Sequence, residues 1–264
     1  MASRGIASFN EPDRTPPKKA SLPTPFVKRF RASIKAALKE TDPASGKKLG
    51  QCIGVYIFFD YDGEPIYVGQ TRESFGTRLG RHLTGQRTDA VAYGILDPFE
   101  VADVALYPAE HLRHDPDRNA RLDALEYSVY LHAIRESRYG AILNEKIPPV
   151  SAEIELPPPV RFSAVPDDLR EEREHPDIRI ARRAATLAHV AGVVHERGVV
   201  SEGLRRVIIV QAVRLADLAA ARMAYAEGRS RPPQDAIDTL KLVGNVLVET
   251  ADPDHGDDDP ELDT

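Results

Sequence analysis

From Ile53 to Gly69 the chain reads IGVYIFFDYDGEPIYVG: two short apolar runs, rich in β-branched and aromatic residues, joined by a polar turn. Asp62-Gly63 between them is a strong hairpin signal, so two antiparallel strands are expected. A loop of two or four residues sets position 58 opposite 67 and position 56 opposite 69. Tyr56 and Tyr67 then project from one face as diagonal neighbours, about 7–8 Å apart. Ile53, Val55, Ile57, Ile66 and Val68 make the other face, which is wholly apolar and requires a covering layer. Gly54 and Gly69 would let backbone or ligand approach closely at the strand ends.

The pattern on either side is mostly helical. Phe26 to Lys39 places Phe26, Phe30, Ile34 and Ala37 on one stripe with Lys and Arg opposite, a basic amphipathic helix. Thr41 to Gly50 reads as a loop. After the hairpin, Phe75, Leu79 and Leu83 recur every four residues and predict a helix docked on the sheet. Arg78 and His82 form a second row beside that stripe, at the rim of the core. Gly76 and Gly80 weaken this helix, which points to close packing or close approach of a ligand.

Phe99 to Leu106 is a third strand candidate. Asn119 to Ser137 follows as a helix, with Asp115 or Asp117 as its cap and Leu122, Leu125, Val129 and Ala133 on one arc. Glu126 falls inside that arc, and a carboxylate on a core-facing side is costly unless paired or metal-bound. Asn144 follows the apolar triplet after Tyr139-Gly140. Residues 151–175 read as a linker beginning with SAEIELPPP. Asp177–Glu196, Val199–Glu227 and Pro233–Glu249 are three further helical patterns, a small helical domain over 176–249 for which homodimerisation, DNA contact and buttressing of the preceding domain all stay open.

Composition changes the picture in one respect. The net charge is −6, yet residues 249–264 hold eight acids and no Lys or Arg, leaving the rest of the chain at +2. Residues 1–50 carry eleven Lys/Arg against four acids, a basic arm suited to phosphate contact. The proline-rich stretch 1–25 and the acidic stretch 250–264 both read as disordered. One cysteine, Cys52, forms no internal disulfide, and no zinc-type cysteine cluster is present. With no apolar run of membrane-spanning length and no secretory pattern at the N-terminus, the expected compartment is the cytoplasm.

Gly54-Val55-Tyr56, ten residues, then Tyr67-Val68-Gly69 resembles the signature of the GIY-YIG nuclease superfamily, with Val for Ile in both triplets. Arg78, His82, Glu126 and Asn144 follow in the family's order, so the resemblance covers roughly residues 50–150. It implies an α+β fold: a small three-stranded mixed sheet flanked by helices, here followed by an all-α C-terminal helical domain. It also implies an endonuclease acting on DNA, with Tyr56, Tyr67, Arg78, His82 and Asn144 as catalytic residues. One Mg²⁺ or Mn²⁺ per site is expected on Glu126, since Mg²⁺ takes one or two carboxylates and completes its shell with water and substrate oxygens. Gly69, Arg72, Arg81 and Arg87 are the DNA-contact candidates, and Arg81 or Arg87 could substitute for Arg78. Whether Tyr56 or His82 takes the water's proton stays open: the resemblance favours the tyrosine, the chemistry the histidine. The Arg-x3-His spacing is similar to the restriction and homing branches, and the absence of a zinc or helix-turn-helix reader favours a restriction-like or phage-defence enzyme. A repair nuclease, or a non-catalytic binding module on the same scaffold, are the alternatives.

Overall fold

The computed structural model describes residues 23–83 and 94–248. The basic arm before residue 23, Arg87 and the acidic tail lie outside the described residues. Strands β1 (Gly54–Phe59), β2 (Pro65–Thr71), β3 (Asp103–Pro108) and β4 (Val160–Ser163) form one sheet in the order β2-β1-β3-β4. Every neighbouring pair is antiparallel. The expected three-stranded mixed sheet is thus corrected to four antiparallel strands. The additional strand, β4, lies in the segment read as linker: after Pro157–Pro159 the chain turns back along β3 and pairs Val160 with Leu106 and Ser163 with Asp103, covering an otherwise open edge.

The hairpin register is the expected one from Tyr56↔Gly69 to Phe58↔Tyr67, then slips so that Phe59 meets Pro65. Ile66 is the extra residue of this bulge, and the slip turns its side chain from the expected face to the Tyr56 side. The turn beyond it is closed by Asp60 N–H donating to the Glu64 carbonyl at 2.9 Å, with Gly63 at φ +73°.

Both faces of the sheet are covered. Helix α3 (Arg118–Glu136) lays Leu122, Leu125, Val129 and Ala133 against Ile53, Val55, Ile57 and Val68. On the opposite face, α1 (Pro25–Ala37) contributes Phe30 and Ile34, and α2 (Phe75–Leu83) contributes Phe75, Leu79 and Leu83, all packed around Tyr56 and Phe58. Each such side chain stabilises the fold by about 1.5–3 kcal/mol when fully buried.

The C-terminal helices close onto the same core. They are α4 (Asp167–Glu174), α5 (Pro176–Arg197), α6 (Glu202–Ala226) and the short α7 (Thr239–Val243). Val190 of α5 and Leu204, Val207 and Val210 of α6 share one apolar cluster with Tyr56 and Phe58, so these helices do not bury a core of their own apart from the sheet. The pattern over Pro233–Glu249 yields only α7 and a single 3-10 turn. Gly244 ends the helix at φ +70°, Asn245 Oδ1 accepts from Leu247 N, and the turn delivers Val246 to the core, where Tyr130 Oη donates to its carbonyl at 2.6 Å.

The joint between α5, α6 and the hairpin is ionic. Arg179, Arg183 and Arg214 are almost fully buried. Asp60 Oδ2 accepts from Arg183 Nη2 at 2.8 Å and Arg214 Nη2 at 2.7 Å, while its Oδ1 accepts from the Asp62 and Glu64 amides. Arg183 Nε also donates to Glu100 at 3.1 Å, and Arg179 Nη2 to Asp62 at 2.9 Å.

Candidate active site

The pleat puts Tyr56 and Tyr67 on one face, with ring centroids 6.3 Å apart. Gly69, directly across from Tyr56, makes room for the ring: a Cβ there would lie 2.5 Å from Tyr56 Oη. At the other end Gly54 has φ +151°, and a Cβ would sit 2.2 Å from the Tyr107 carbonyl oxygen, so a side chain would force β1 and β3 apart. Gly54 thus makes the close backbone approach expected of it, whereas Gly69 makes room for an aromatic ring and not for backbone.

Helix α2 brings the next two groups. Gly76 packs so tightly on the Gly50 carbonyl that a Cβ would come within 2.8 Å, whereas Gly80 faces open space. With α2 fixed, Arg78 Nε donates to Tyr56 Oη at 3.4 Å, and His82 Nε2 lies 3.2 Å from the same oxygen. His82 is buried, 1% exposed, deeper than the rim position its spacing suggested, because its ring packs against Tyr56, Phe58 and Tyr67 of the sheet. Burial, reinforced by the Arg78 and Arg81 charges, pushes the imidazole down to about 3. Tyr56 is fully buried, and this burial, aided by Tyr67, holds its phenol well above the usual range. Tyr56 and His82 are therefore both neutral near pH 7.

Glu126 reaches the site from α3, on the row of Leu122 and Tyr130. It is partly buried, and its carboxyl is pushed up to about 7, mainly by burial and further by Asp123, while Gln70 and Arg78 act against the shift. Asp123 is itself occupied by Gln70 Nε2 at 2.7 Å and Arg72 Nη2 at 2.8 Å.

Asn144 has a different place from the other groups. Its Oδ1 accepts from Val68 N and its Nδ2 donates to Val68 O, both at 2.9 Å, while Leu143 N donates to Ile66 O. The amide thus imitates a neighbouring strand along the outer edge of β2 and holds the strand that carries Tyr67 and Gly69.

These elements surround a cleft of about 360 Å³. Tyr67, Gly69, Arg78, His82, Glu126 and Asn144 all line it, together with the segment from Lys146 to Pro149. Tyr56 stands one layer behind, under Gly69. Arg72 and Arg81 lie outside the lining, in surface ion pairs with Asp123 and Glu73. Gln70 and Lys146 were not singled out from sequence: neither falls on a periodic stripe or within a recognised triplet.

A group of three or more metal-ligating side chains is not found among the described residues. A hard divalent cation needs no such group, since one or two carboxylates suffice when water and phosphate oxygens complete the shell. Glu126 fits that requirement: a carboxyl half-withdrawn from water, with too little positive charge around it to stay ionised below about 7, gains most from a cation.

No curated protein and no solved structure matches the chain. Residues 52–128 do match the family described as GIY-YIG catalytic domain, a span that runs from the strand before Tyr56 to just beyond Glu126 and stops short of Asn144. Residues 52–128 are thereby identified as a GIY-YIG catalytic domain, under a third of the chain.

Proposed function

We propose that this protein is a metal-dependent endonuclease that hydrolyses DNA phosphodiester bonds, in a restriction-like or phage-defence role. The observation that carries this reading is the meeting of Arg78, Tyr67 and a carboxyl raised to about 7, Glu126, around one cleft.

Hydrolysis joins the water oxygen to phosphorus and breaks the P–O3′ bond, so the water must lose a proton and the charge on phosphorus must be matched. Arg78 faces the cleft, and its planar fork suits two non-bridging phosphate oxygens. Tyr67, on the lining, orients the water or the phosphate. Tyr56 Oη lies beneath Gly69, where the missing side chain keeps it near the cleft floor. The water's proton passes to Tyr56 Oη as Tyr56 gives its own to His82 Nε2, leaving an imidazolium. A phosphate on Arg78 assists, because it offsets one of the charges that depress His82. Asn144 keeps β2 in register throughout. A divalent cation, Mg²⁺ or Mn²⁺, one per site on Glu126, would supply positive charge to the scissile phosphate and the departing oxygen when bound.

Nicking of supercoiled plasmid with Mg²⁺ tests the reading. Wild-type protein should nick and Glu126→Ala should not; equal rates for both would overturn it.

A further inference from the structure

We infer that Lys146 is a second phosphate-binding cation, holding a backbone phosphate of the substrate strand next to the one engaged by Arg78. The inference rests on the nuclease reading above and adds a residue to it.

The segment that carries Lys146 is fixed on both sides. Asn144 is bound to the backbone of β2 through both ends of its amide. Glu145 is held by the start of α6: its Oε1 accepts from Ser201 Oγ at 2.8 Å and its carbonyl from Arg206 Nη2 at 3.1 Å. Gly203 packs so closely there that a Cβ would lie 1.8 Å from the Glu145 carbonyl oxygen. Ile147, on the other side, is buried against α3. Between these anchors the Lys146 side chain is exposed and lines the same cleft as Arg78 and Glu126.

Its charge is also uncommitted. The neighbouring arginines outside the cleft are occupied, Arg72 by Asp123 and Arg81 by Glu73, and Arg206 spends its guanidinium on Glu145 and Asn245 carbonyls. Lys146 makes no hydrogen bond or ion pair among the described residues. An ammonium with no partner among the described residues, on an immobilised backbone and lining the same cleft as an arginine, suits a polyanion with regularly spaced charges. A compact point charge on a flexible stem contacts a phosphate without fixing its orientation, which suits a neighbouring phosphate better than the scissile one.

Binding is the readout that isolates this role. Glu126→Gln protein, with and without Lys146→Ala or Lys146→Arg, would be titrated with a duplex oligonucleotide over a range of salt. Removing one phosphate contact should weaken binding several-fold at about 0.1 M salt and reduce the slope of log affinity against log salt by about one, with Arg restoring both. Thermal stability should not change, since the side chain is exposed. Unchanged affinity and slope in Lys146→Ala would overturn the assignment, and so would weaker binding with an unchanged slope, which would mark a structural effect. Absence of any DNA binding by the parent protein would fall on the nuclease reading itself and remove the subsite with it.

Discussion

Two acids near opposite ends of the hairpin, one buried and one partly buried, are held under opposite conditions. At the turn, Asp60 is 2% exposed, and every lone-pair direction is used: two backbone amides on one oxygen, arginines from α5 and α6 on the other. At the open ends of the strands, Glu126 faces Gln70, a repelling Asp123 and one arginine shared with Tyr56, and its carboxyl rises to about 7. The first arrangement locks elements together. The second leaves the carboxyl with incomplete partners, as the proposed cation site requires. The two carboxylates differ both in burial, Asp60 being the deeper, and in the completeness of their partners.

Breaking the saturated end should have the largest effect. Asp60→Ala leaves buried arginines of α5 and α6 unpaired and is expected to cost about 3–5 kcal/mol in chemical denaturation. A change below 1 kcal/mol would mean that water reaches the joint. Asn144→Ala comes next, because it strips both hydrogen bonds from the Val68 backbone at a buried edge; about 1–3 kcal/mol and a slower nicking rate are expected. The pH dependence of kcat/KM sharpens the other side of the comparison. With Glu126 at about 7 and His82 at about 3, activity at limiting metal should fall as pH drops through about 7, with no separate limb near 6.5 from the histidine. Arg72→Ala is the smallest: its exposed pair with Asp123 should contribute at most about 1 kcal/mol, so any marked loss of DNA binding would report a direct contact.

The sequence made the hairpin and its site legible for a physical reason: strand period and turn together set register, so Tyr56, Tyr67 and Gly69 could be placed before any coordinate. Glu126 was equally readable, as a carboxylate interrupting an apolar arc. Beyond residue 150 the same reasoning lost its grip. β4 is four residues long and only partly buried, too short to show alternation. Arg179 and Arg183 drew no reading from the sequence, because their partner Asp60 stands more than a hundred positions earlier and no local period encodes a contact at that range. The Ile66 bulge and the buried state of His82 depend likewise on how the turn closes and how α2 seats its imidazole on the aromatic rings of the sheet.

The most direct measurement is the unfolding free energy of wild type and Glu126→Gln at several pH values, with and without Mg²⁺. A carboxyl raised from 4.5 to about 7 makes the folded state the stronger proton binder between those values. Wild type should therefore lose stability as pH rises through that window. The account predicts that without metal the glutamine variant is more stable by about 1–3 kcal/mol at pH 8, that the gap closes as pH falls toward 4.5, and that Mg²⁺ stabilises wild type alone. Equal stability at all pH values, together with an identical response of both proteins to Mg²⁺, would contradict it.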